Sequence, residues 1–227
     1  MSATATGSLN VEERARATQG SSADIIYRLV AHELKQRGSL RGTLLDVGCG
    51  TGQLWSYCRD DFDRYIGADV VRYDGFPEDG QFHGVDLDTG RVVVDEGNAE
   101  VVVAVETIEH MENPRALMRE LVRLTKPGGL IVVTTPNQLS LLAKLSLALR
   151  NNFPAFSEAP GSYPAHLTAL LEIDLVRMAR ECQLTNINVR YTNSGRIPST
   201  AWHWPRFLKG RSFSDNVLLS ACKPSTL

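Results

Sequence analysis

A glycine-rich loop carries the clearest chemical signal in the sequence. The short apolar run Leu44–Val47, interrupted by Asp46, leads directly into Gly48-Cys49-Gly50-Thr51-Gly52. Glycine has no Cβ, so a loop of this kind can turn tightly and bring its backbone against a ligand. A dinucleotide-binding loop would have its third glycine where Gln53 stands, and a phosphate-binding loop would continue with Lys-Ser or Lys-Thr. The spacing therefore predicts a ligand site that is not specialised for phosphate, which disfavours a nucleotide-dependent oxidoreductase.

Acidic residues follow the next two apolar runs of the chain. Asp69 comes directly after Tyr65–Ala68, and Asp86 and Leu87 follow the run Gln81–Val85. A carboxylate can accept hydrogen bonds from both hydroxyls of a ribose, and an acid near the end of a second strand is often used in this way. Asp69 is therefore a candidate ribose ligand. Asp86 and Leu87 are placed to border an adenine ring.

A second polar cluster, Glu106, Glu109 and His110, follows the apolar run Val101–Val105. Two interpretations follow from the residue types. Glu109 and His110 can be structural, with the acid capping a helix or forming a local ion pair. Alternatively, Glu109 or His110 can act as a general base on an acceptor hydroxyl, because an imidazole titrates near neutral pH. The residue types do not decide between these roles.

Alternating strands and helices would hold these residues in place. The alternation indicates crossover units, a parallel sheet and helices on both of its faces. The predicted strands are Thr43–Val47, Arg64–Ala68, Gln81–Val85, Val101–Val105, Leu130–Thr134, Asn186–Tyr191 and Asn216–Ala221. The predicted helices are Ala23–Arg37, one that begins at Pro114 and ends before Lys126–Gly129, Leu139–Arg150 and Leu167–Cys182. Ligand sites of such folds lie at the carboxyl ends of the strands.

Composition is that of an ordinary globular protein. The 227 residues fit one domain, and the hydrophobic (43%) and charged (22%) fractions are near globular averages. With 24 Lys and Arg against 26 Asp and Glu, the net charge of −2 makes a nucleic-acid partner unlikely on charge alone, because phosphate binding favours a basic excess. Four scattered cysteines form no CxxC pair, no secretory signal is recognisable, and the apolar runs are far shorter than the ~18 residues of a membrane span. We therefore expect a cytoplasmic protein.

Taken together, three motifs resemble those of the class I S-adenosylmethionine-dependent methyltransferases. Asp46–Gly52 (DVGCGTG) resembles the first motif of that family, Glu106–His110 (ETIEH) the segment after its fourth strand, and Lys126–Asn137 (KPGGLIVVTTPN) its turn and fifth strand. The resemblance covers about Leu44–Asn137. It implies a Rossmann-like three-layer α/β sandwich, with a mostly parallel seven-stranded sheet and a last, antiparallel strand. It also implies S-adenosylmethionine as the cofactor.

The same resemblance gives cofactor roles to individual residues. The glycines would cradle the methionine and ribose portion with Asp46 beneath them, Asp69 would bind the ribose, and Glu106 would lie near the methionine end. The residues implied to contact the cofactor are Asp46, Gly48, Cys49, Gly50, Gly52, Asp69, Asp86, Leu87 and Glu106. A sulfonium methyl is intrinsically reactive, so alignment of nucleophile, methyl and sulfur supplies much of the catalysis. A general base is not a requirement of the reaction.

The candidate catalytic residues are Glu109, His110 and His166, and the resemblance adds a third interpretation of them. Small-RNA 2′-O-methyltransferases and ubiquinone-type O-methyltransferases carry a similar Glu-x-x-Glu-His, with a later histidine as a further ligand to a divalent ion. His166 occupies a comparable position in this chain. A hard cation held by carboxylates would orient an acceptor and lower the pKa of its hydroxyl. Structural, acid–base and metal roles stay open, and no residue is assigned to a metal site.

Segments outside the core motifs would select the acceptor. We expect a mobile tail over residues 1–20 and a single domain over 21–227, with insertions near 138–165 and 193–213. The first insertion has a leucine stripe, for which packing on the domain is favoured over contact with a membrane surface. The second interleaves cations with aromatic rings, which can stack on bases, on sugars or at a membrane interface; alternatively, its Trp residues pack into the domain and its cations face water.

The predicted function is transfer of a methyl group to a hydroxyl of a small molecule or glycan. The glycan follows from a weak resemblance of the C-terminal region to methyltransferases from bacterial surface-polysaccharide gene clusters. Two alternatives are a non-catalytic scaffold with a methyltransferase fold and an RNA 2′-O-methyltransferase. The acidic balance of the chain counts against a large nucleic-acid footprint.

Overall fold

Seven strands lie in a single sheet in the computed structural model, which describes residues 11–38, 40–94, 97–158 and 165–225. They are β1 (Thr43–Val47), β2 (Arg64–Asp69), β3 (Gln81–Gly84), β4 (Ala99–Ala104), β5 (Thr125–Pro136), β6 (Thr185–Tyr191) and β7 (Asn216–Cys222). Their order is β3-β2-β1-β4-β5-β7-β6, and of these seven only β7 runs antiparallel to the other six. The predicted mostly parallel sheet with an antiparallel last strand is confirmed.

Helices cover both faces of this sheet. Those in the described part of the chain are α1 (Val11–Ala17), α2 (Asp24–Lys35), α3 (Trp55–Cys58), α4 (Pro114–Leu124), α5 (Leu141–Arg150) and α6 (Glu172–Glu181). Successive strand residues point to opposite faces, so Leu45 joins one buried cluster with Leu121 of α4, whereas Leu44 joins a second cluster with Val30 of α2. Two cores on two faces confirm the three-layer sandwich. None of the described helices is both long and apolar enough to span a bilayer.

Local chemistry explains why α4 begins where the sequence predicts. The side chain of Asn113 accepts a hydrogen bond from the backbone N–H of Ala116 (3.0 Å), which satisfies a donor at the helix start. Pro114 takes the first helical position, where its missing N–H costs nothing. Leu117, Leu121 and their neighbours on the same helix face are then buried against the sheet.

The turn predicted at Lys126–Gly129 ends α4 as expected, but it also belongs to β5. The backbone N–H of Gly128 donates to the carbonyl of Lys223, and the N–H of Lys223 donates to the carbonyl of Gly129, both at 2.9 Å. These bonds continue the antiparallel pairing beyond the end of β7. The predicted strand Leu130–Thr134 is therefore the middle of a longer element.

Helix α6 begins five residues later than predicted. The backbone N–H groups of Leu167 and Thr168 both donate to the carbonyl of Glu109 at 2.9 Å. The carboxylate of Asp174 accepts from the N–H of Leu171 (3.0 Å) and so marks the helix start. The prediction of a helix from Leu167 was wrong because the backbone is still extended at Leu171, where the bond to Asp174 caps the helix.

The N-terminal segment differs from the predicted mobile tail. Residues 11–17 form α1, and the hydroxyl of Tyr73 donates to the carbonyl of Ala15 at 2.6 Å. Arg14 lies 3.7 Å from the carboxylate of Asp88. Residues 1–10 of the predicted tail, like 159–164 of the predicted insertion at 138–165, lie outside the described residues.

Candidate active site

The predicted site residues gather around a cavity of 470 Å³ at the carboxyl ends of β1, β2 and β4. Those that line it are Asp46, Gly48, Cys49, Gly50, Asp69, Asp86, Leu87, Glu106, His110 and His166. Gly52 and Glu109 do not line it. Gly52 faces Pro77, and Glu109 is fully buried behind the cavity wall. Parallel strands bring these residues together because their carboxyl ends meet at one edge of the sheet.

Two positions of the glycine loop cannot carry a side chain. Gly48 and Gly50 have φ angles of 76° and 51°, a region that side-chain-bearing residues rarely adopt. A Cβ on Gly48 would collide with the side chain of Thr107, and one on Gly50 would collide with the carbonyl of Gly20. Cys49 between them is buried and lines the cavity, and burial raises the pKa of its thiol.

Asp46 lies beneath the loop as a buried acid. It is 2% exposed, and the hydroxyl of Tyr65 donates to its Oδ2 at 2.9 Å. Its Oδ1 is buried and has no hydrogen-bond partner among the described residues. Burial raises the pKa of Asp46 to about 7, and the bond from Tyr65 opposes that rise.

Asp69 ends β2 beside the loop. Its carboxylate accepts from the backbone N–H of Gly50 (2.8 Å) and from that of Val71 (3.3 Å). Burial raises its pKa, and these backbone donors oppose the rise. Asp69 thus fixes the loop from one side while it lines the cavity.

The carboxylate of Asp86 forms hydrogen bonds within the turn that follows β3. It accepts from the backbone N–H of Asp88 (3.0 Å) and from the hydroxyl of Thr89 (2.8 Å). These local bonds hold the turn after β3 in shape. Leu87, between the two aspartates, offers an apolar side chain to the cavity.

Glu106 and Glu109 form a pair of acids that has no cationic partner in the described part of the chain. Glu106 has φ 50°, unusual for a residue with a side chain, and Asn216 donates to its Oε2 at 2.8 Å. The hydroxyl of Thr135 donates to Glu109 Oε2 at 3.0 Å. The other oxygen of each acid is buried without a partner among the described residues. Burial raises both pKa values, that of Glu109 to about 8, and the neighbouring Glu109 adds to the rise at Glu106.

His110 and His166 pack against each other in the same cavity, with ring centroids 4.7 Å apart. Nδ1 of His110 lies 2.8 Å from the carbonyl oxygen of Ala165, and Nδ1 of His166 lies 2.6 Å from that of Ala155. Because a carbonyl only accepts, each Nδ1 carries the hydrogen and each Nε2 keeps a lone pair. Burial lowers both pKa values, that of His166 to about 4 with a further contribution from His110. Both rings are therefore neutral at neutral pH.

The N-terminal segment forms a cavity wall that the sequence did not predict. Val11, Arg14 and the stretch 17–23 line the cavity. The backbone N–H of Thr51 in the glycine loop donates to the carbonyl of Gly20 at 2.8 Å. The one local signal was a Glu12–Arg16 pair at helical spacing, which the structure forms at 2.7 Å. Such a pair predicts a short helix but not what the helix covers.

Comparison with known proteins identifies the family. Residues 16–189 match the model of a methyltransferase domain, which is well over half of the chain and includes the glycine loop, the acids and both histidines. This chain belongs to the class I S-adenosylmethionine-dependent methyltransferases. The resemblance of its motifs to that family is thereby confirmed.

Relatives of the methyltransferase agree with this assignment. A probable S-adenosylmethionine-dependent methyltransferase of Mycolicibacterium smegmatis is 27% identical over 120 residues, 52% of this chain and 45% of that protein. A ubiquinone biosynthesis O-methyltransferase of Azorhizobium caulinodans is 30% identical over 132 residues, 52% of this chain and 50% of that protein. The chain spans about half the length of the curated relatives it matches. A crystal structure of a SAM-dependent methyltransferase from Archaeoglobus fulgidus superposes with a TM-score of 0.63 at 15% identity, covering 87% of this chain and 94% of that one, and shows the same fold.

The cavity of the methyltransferase fits a cationic cofactor. Asp46 Oδ1 and Glu106 Oε1 are buried, and neither has a hydrogen-bond partner within the part of the chain that the structure describes. A buried carboxylate without a partner is costly, so a cation bound beside it is stabilised. S-adenosylmethionine carries a sulfonium and an ammonium group. The acids and the glycine loop therefore suit this cofactor in both charge and shape.

Proposed function

We propose that this methyltransferase moves a methyl group from S-adenosylmethionine to a hydroxyl of a small molecule or glycan. The observation that carries the proposal is the pair of neutral histidines in the cavity of the glycine loop, each with Nδ1 hydrogen-bonded and Nε2 left as a base. A hydroxyl must lose its proton as it takes a methyl group, so a nearby base suits this acceptor. Relatives named ubiquinone biosynthesis O-methyltransferases support transfer to oxygen.

Three acids at the carboxyl ends of the strands, Asp46, Asp69 and Glu106, would hold the cofactor. The cofactor supplies a reactive sulfonium methyl. Asp69 would accept from the ribose hydroxyls, because each carboxylate oxygen has a lone pair beyond its bond to the backbone. Asp46 and Glu106 would lie against the cationic methionine end, since both have an unpartnered oxygen. The backbone of Gly48, Cys49 and Gly50 would approach the cofactor closely, with Gly52 shaping the end of the loop.

The adenine would lie beyond the turn after β3. Leu87 would supply the apolar surface that a base plane requires. The carboxylate of Asp86 is already bonded to Asp88 and Thr89, so its part in binding the adenine would be to set the position of Leu87 and the turn.

His110 would take the acceptor proton. Its pKa is lowered by burial, so it is unprotonated at neutral pH and ready to accept. His166, whose pKa falls to about 4, would orient the hydroxyl by accepting its hydrogen bond. Glu109 would hold together the two segments that carry the rings, because its backbone carbonyl accepts from the N–H groups of Leu167 and Thr168, next to His166.

A bound divalent cation is a second candidate role for the same cluster. One ligand atom from each of Glu109, His110 and His166 lies within 4.8 Å of the others. A cation there would neutralise Glu109 and lower the pKa of an acceptor hydroxyl. Methyl transfer measured after EDTA treatment, with and without added Mg²⁺, separates the two roles. Loss in EDTA and recovery with Mg²⁺ favours the cation, whereas unchanged activity favours direct proton transfer.

Calorimetric titration tests the cofactor assignments. Asp69→Ala should weaken binding of S-adenosylmethionine and S-adenosylhomocysteine by at least about tenfold, because it removes a charge-assisted hydrogen-bond acceptor. The matched control is Asp60→Ala, which removes an exposed aspartate outside the cavity and should bind as the wild type does. Equal affinities for the two variants would contradict the role of Asp69.

A transfer assay tests the acceptor. Labelled S-adenosylmethionine is incubated with catechols, sugars, amines and single-stranded RNA, and label in each class is counted. We expect transfer to the catechols or sugars. Transfer only to amines would contradict the hydroxyl proposal, and transfer to RNA would favour the RNA 2′-O-methyltransferase alternative. Cofactor binding without transfer to any class would favour the scaffold.

A further inference from the structure

Helix α5 buries two small residues and exposes three of its five leucines. Ala143 and Ser146 are buried against the domain, whereas Leu145, Leu147 and Leu149 are exposed, Leu149 to 80%. Of the predicted leucine stripe, Leu139 and Leu142 are half-buried and pack on the domain as expected, whereas Leu145 and Leu149 do not. Leucines in water cost free energy that burial would recover, and no part of the described chain covers the three exposed leucines.

A second segment, 193–213, also exposes large apolar side chains. Trp202 is 76% exposed and Phe207 is 79% exposed, although each ring could bury a large apolar area. Trp204 instead packs edge-on against Phe213, with ring centroids 5.4 Å apart. The segment thus holds itself together with one aromatic pair and leaves two other aromatic residues in water.

Both segments leave the sheet at the edge that carries the active-site cavity. The end of β5 pairs with the start of β7, with Pro136 opposite Asn216. Asn137, which leads into α5, donates from Nδ2 to the carbonyl of Arg211 at 2.7 Å. The link between Asn216 and Glu106 (2.8 Å) ties the same edge to the cavity.

These segments are locally basic in a chain of net charge −2. Neither 137–157 nor 193–213 contains an aspartate or glutamate. Arg196 and Arg211 pair with acids from elsewhere in the chain. The four cations that form no ion pair with any described residue are Lys144, Arg150, Arg206 and Lys209. Exposed apolar groups and unpaired cations therefore occur together.

We propose that this edge of the protein docks on a lipid bilayer that contains anionic headgroups. The docking surface consists of Leu145, Leu149, Trp202 and Phe207 with the cations Lys144, Arg150, Arg206 and Lys209. Leucine and aromatic side chains gain free energy when they enter the boundary between headgroups and acyl chains, and Lys and Arg are attracted to anionic lipids. A bilayer accepts separate apolar groups without a matching shape, which suits two distinct segments. The docking does not depend on which acceptor is methylated.

Vesicle co-sedimentation of the full chain tests the docking surface. Vesicles of phosphatidylcholine alone are compared with an equal mixture of phosphatidylcholine and phosphatidylglycerol, at low and high salt. We expect sedimentation with the anionic vesicles, and release by salt. Lys209→Gln should weaken this binding about fivefold, as expected for one cation near an anionic surface. Leu149→Ser and Phe207→Ser should each weaken it about tenfold or more through lost apolar burial.

The control is Ile173→Ser, which removes an exposed apolar residue of α6 (43% exposed) outside the docking surface. It should sediment as the wild type does, and all variants should keep wild-type affinity for S-adenosylmethionine, which confirms their fold. No sedimentation of the wild type with either vesicle overturns the proposal, as does an equal loss for Ile173→Ser. Gel filtration adds a further outcome. A dimer that Leu149→Ser converts to a monomer, together with no vesicle binding, would make the surface a subunit contact and overturn the proposal.

Discussion

Replacing Asp46 by asparagine should stabilise the cofactor-free protein above neutral pH. Burial raises the pKa of Asp46 from 3.8 to about 7, so the folded state holds this proton more tightly than the unfolded chain does. The contribution of this group to stability is therefore complete below the unfolded pKa and is lost as the pH rises through the folded one. At about 1.4 kcal/mol for each pKa unit, the full loss in the wild type is about 4 kcal/mol.

Asparagine avoids that loss because it stays neutral, and its side-chain oxygen can still accept the bond that Tyr65 donates to Asp46 (2.9 Å). Urea unfolding should give similar free energies for the wild type and Asp46→Asn in acid, and an advantage for the variant of about 2–4 kcal/mol at mildly alkaline pH. Asp60→Asn, at an exposed carboxylate, is the control and should show no such advantage.

The same variant should bind S-adenosylmethionine more weakly, because the carboxylate proposed to face the cationic end of the cofactor is gone. The free energy of unfolding should thus rise while the affinity for S-adenosylmethionine falls. Titration calorimetry at alkaline pH measures the affinity. An advantage of Asp46→Asn that is the same at every pH would refute burial of the charge as its cause. Unchanged affinity would refute the proposed contact.

Three further variants address the loop, the histidines and the N-terminal wall. Gly50→Ala should weaken cofactor binding at least about tenfold in calorimetry, because of its φ of 51° and the collision at the loop, whereas Gly84→Ala, with no atom nearer than 3.9 Å to the new Cβ, should bind normally. His166→Gln should lower methyl transfer by about 10²-fold and leave cofactor affinity unchanged; a parallel loss of affinity would assign His166 to binding instead. Tyr73→Phe removes the bond to Ala15 (2.6 Å) and should weaken cofactor binding several-fold by about 1 kcal/mol, with faster proteolysis before residue 20; unchanged rates would show that this bond does not hold the wall.

The features that could be predicted from the sequence depend on local chemistry. The glycine loop after β1, the acid at the end of β2 and the proline at the start of α4 each follow from neighbouring residues, and the structure has them where expected. Parallel pairing then brings the carboxyl ends of the strands together. Most of the predicted site residues line the cavity for this reason. The roles of those residues in binding and catalysis stay predictions.

Long-range contacts decide what the sequence could not predict. The path of the chain at Leu167 and Thr168 depends on the carbonyl of Glu109, and the position of α1 depends on Tyr73, each more than fifty residues away along the chain. The orientation of α5 was also beyond reach, because leucines at helical spacing indicate an apolar face but not what it contacts. Only the burial of Ala143 and Ser146 shows which side meets the domain.

The N-terminal wall of the cavity has a practical consequence for anyone who shortens the protein. The matched family domain begins at residue 16, inside α1, and neither buried core cluster includes a residue before Ile26. A shortened protein that begins at residue 21 would therefore keep its sheet and both cores and would unfold cooperatively. It would nevertheless lack Arg14 and the carbonyl of Gly20 at the cavity. A failed binding experiment on such a truncated protein would report on the missing wall and not on the enzyme.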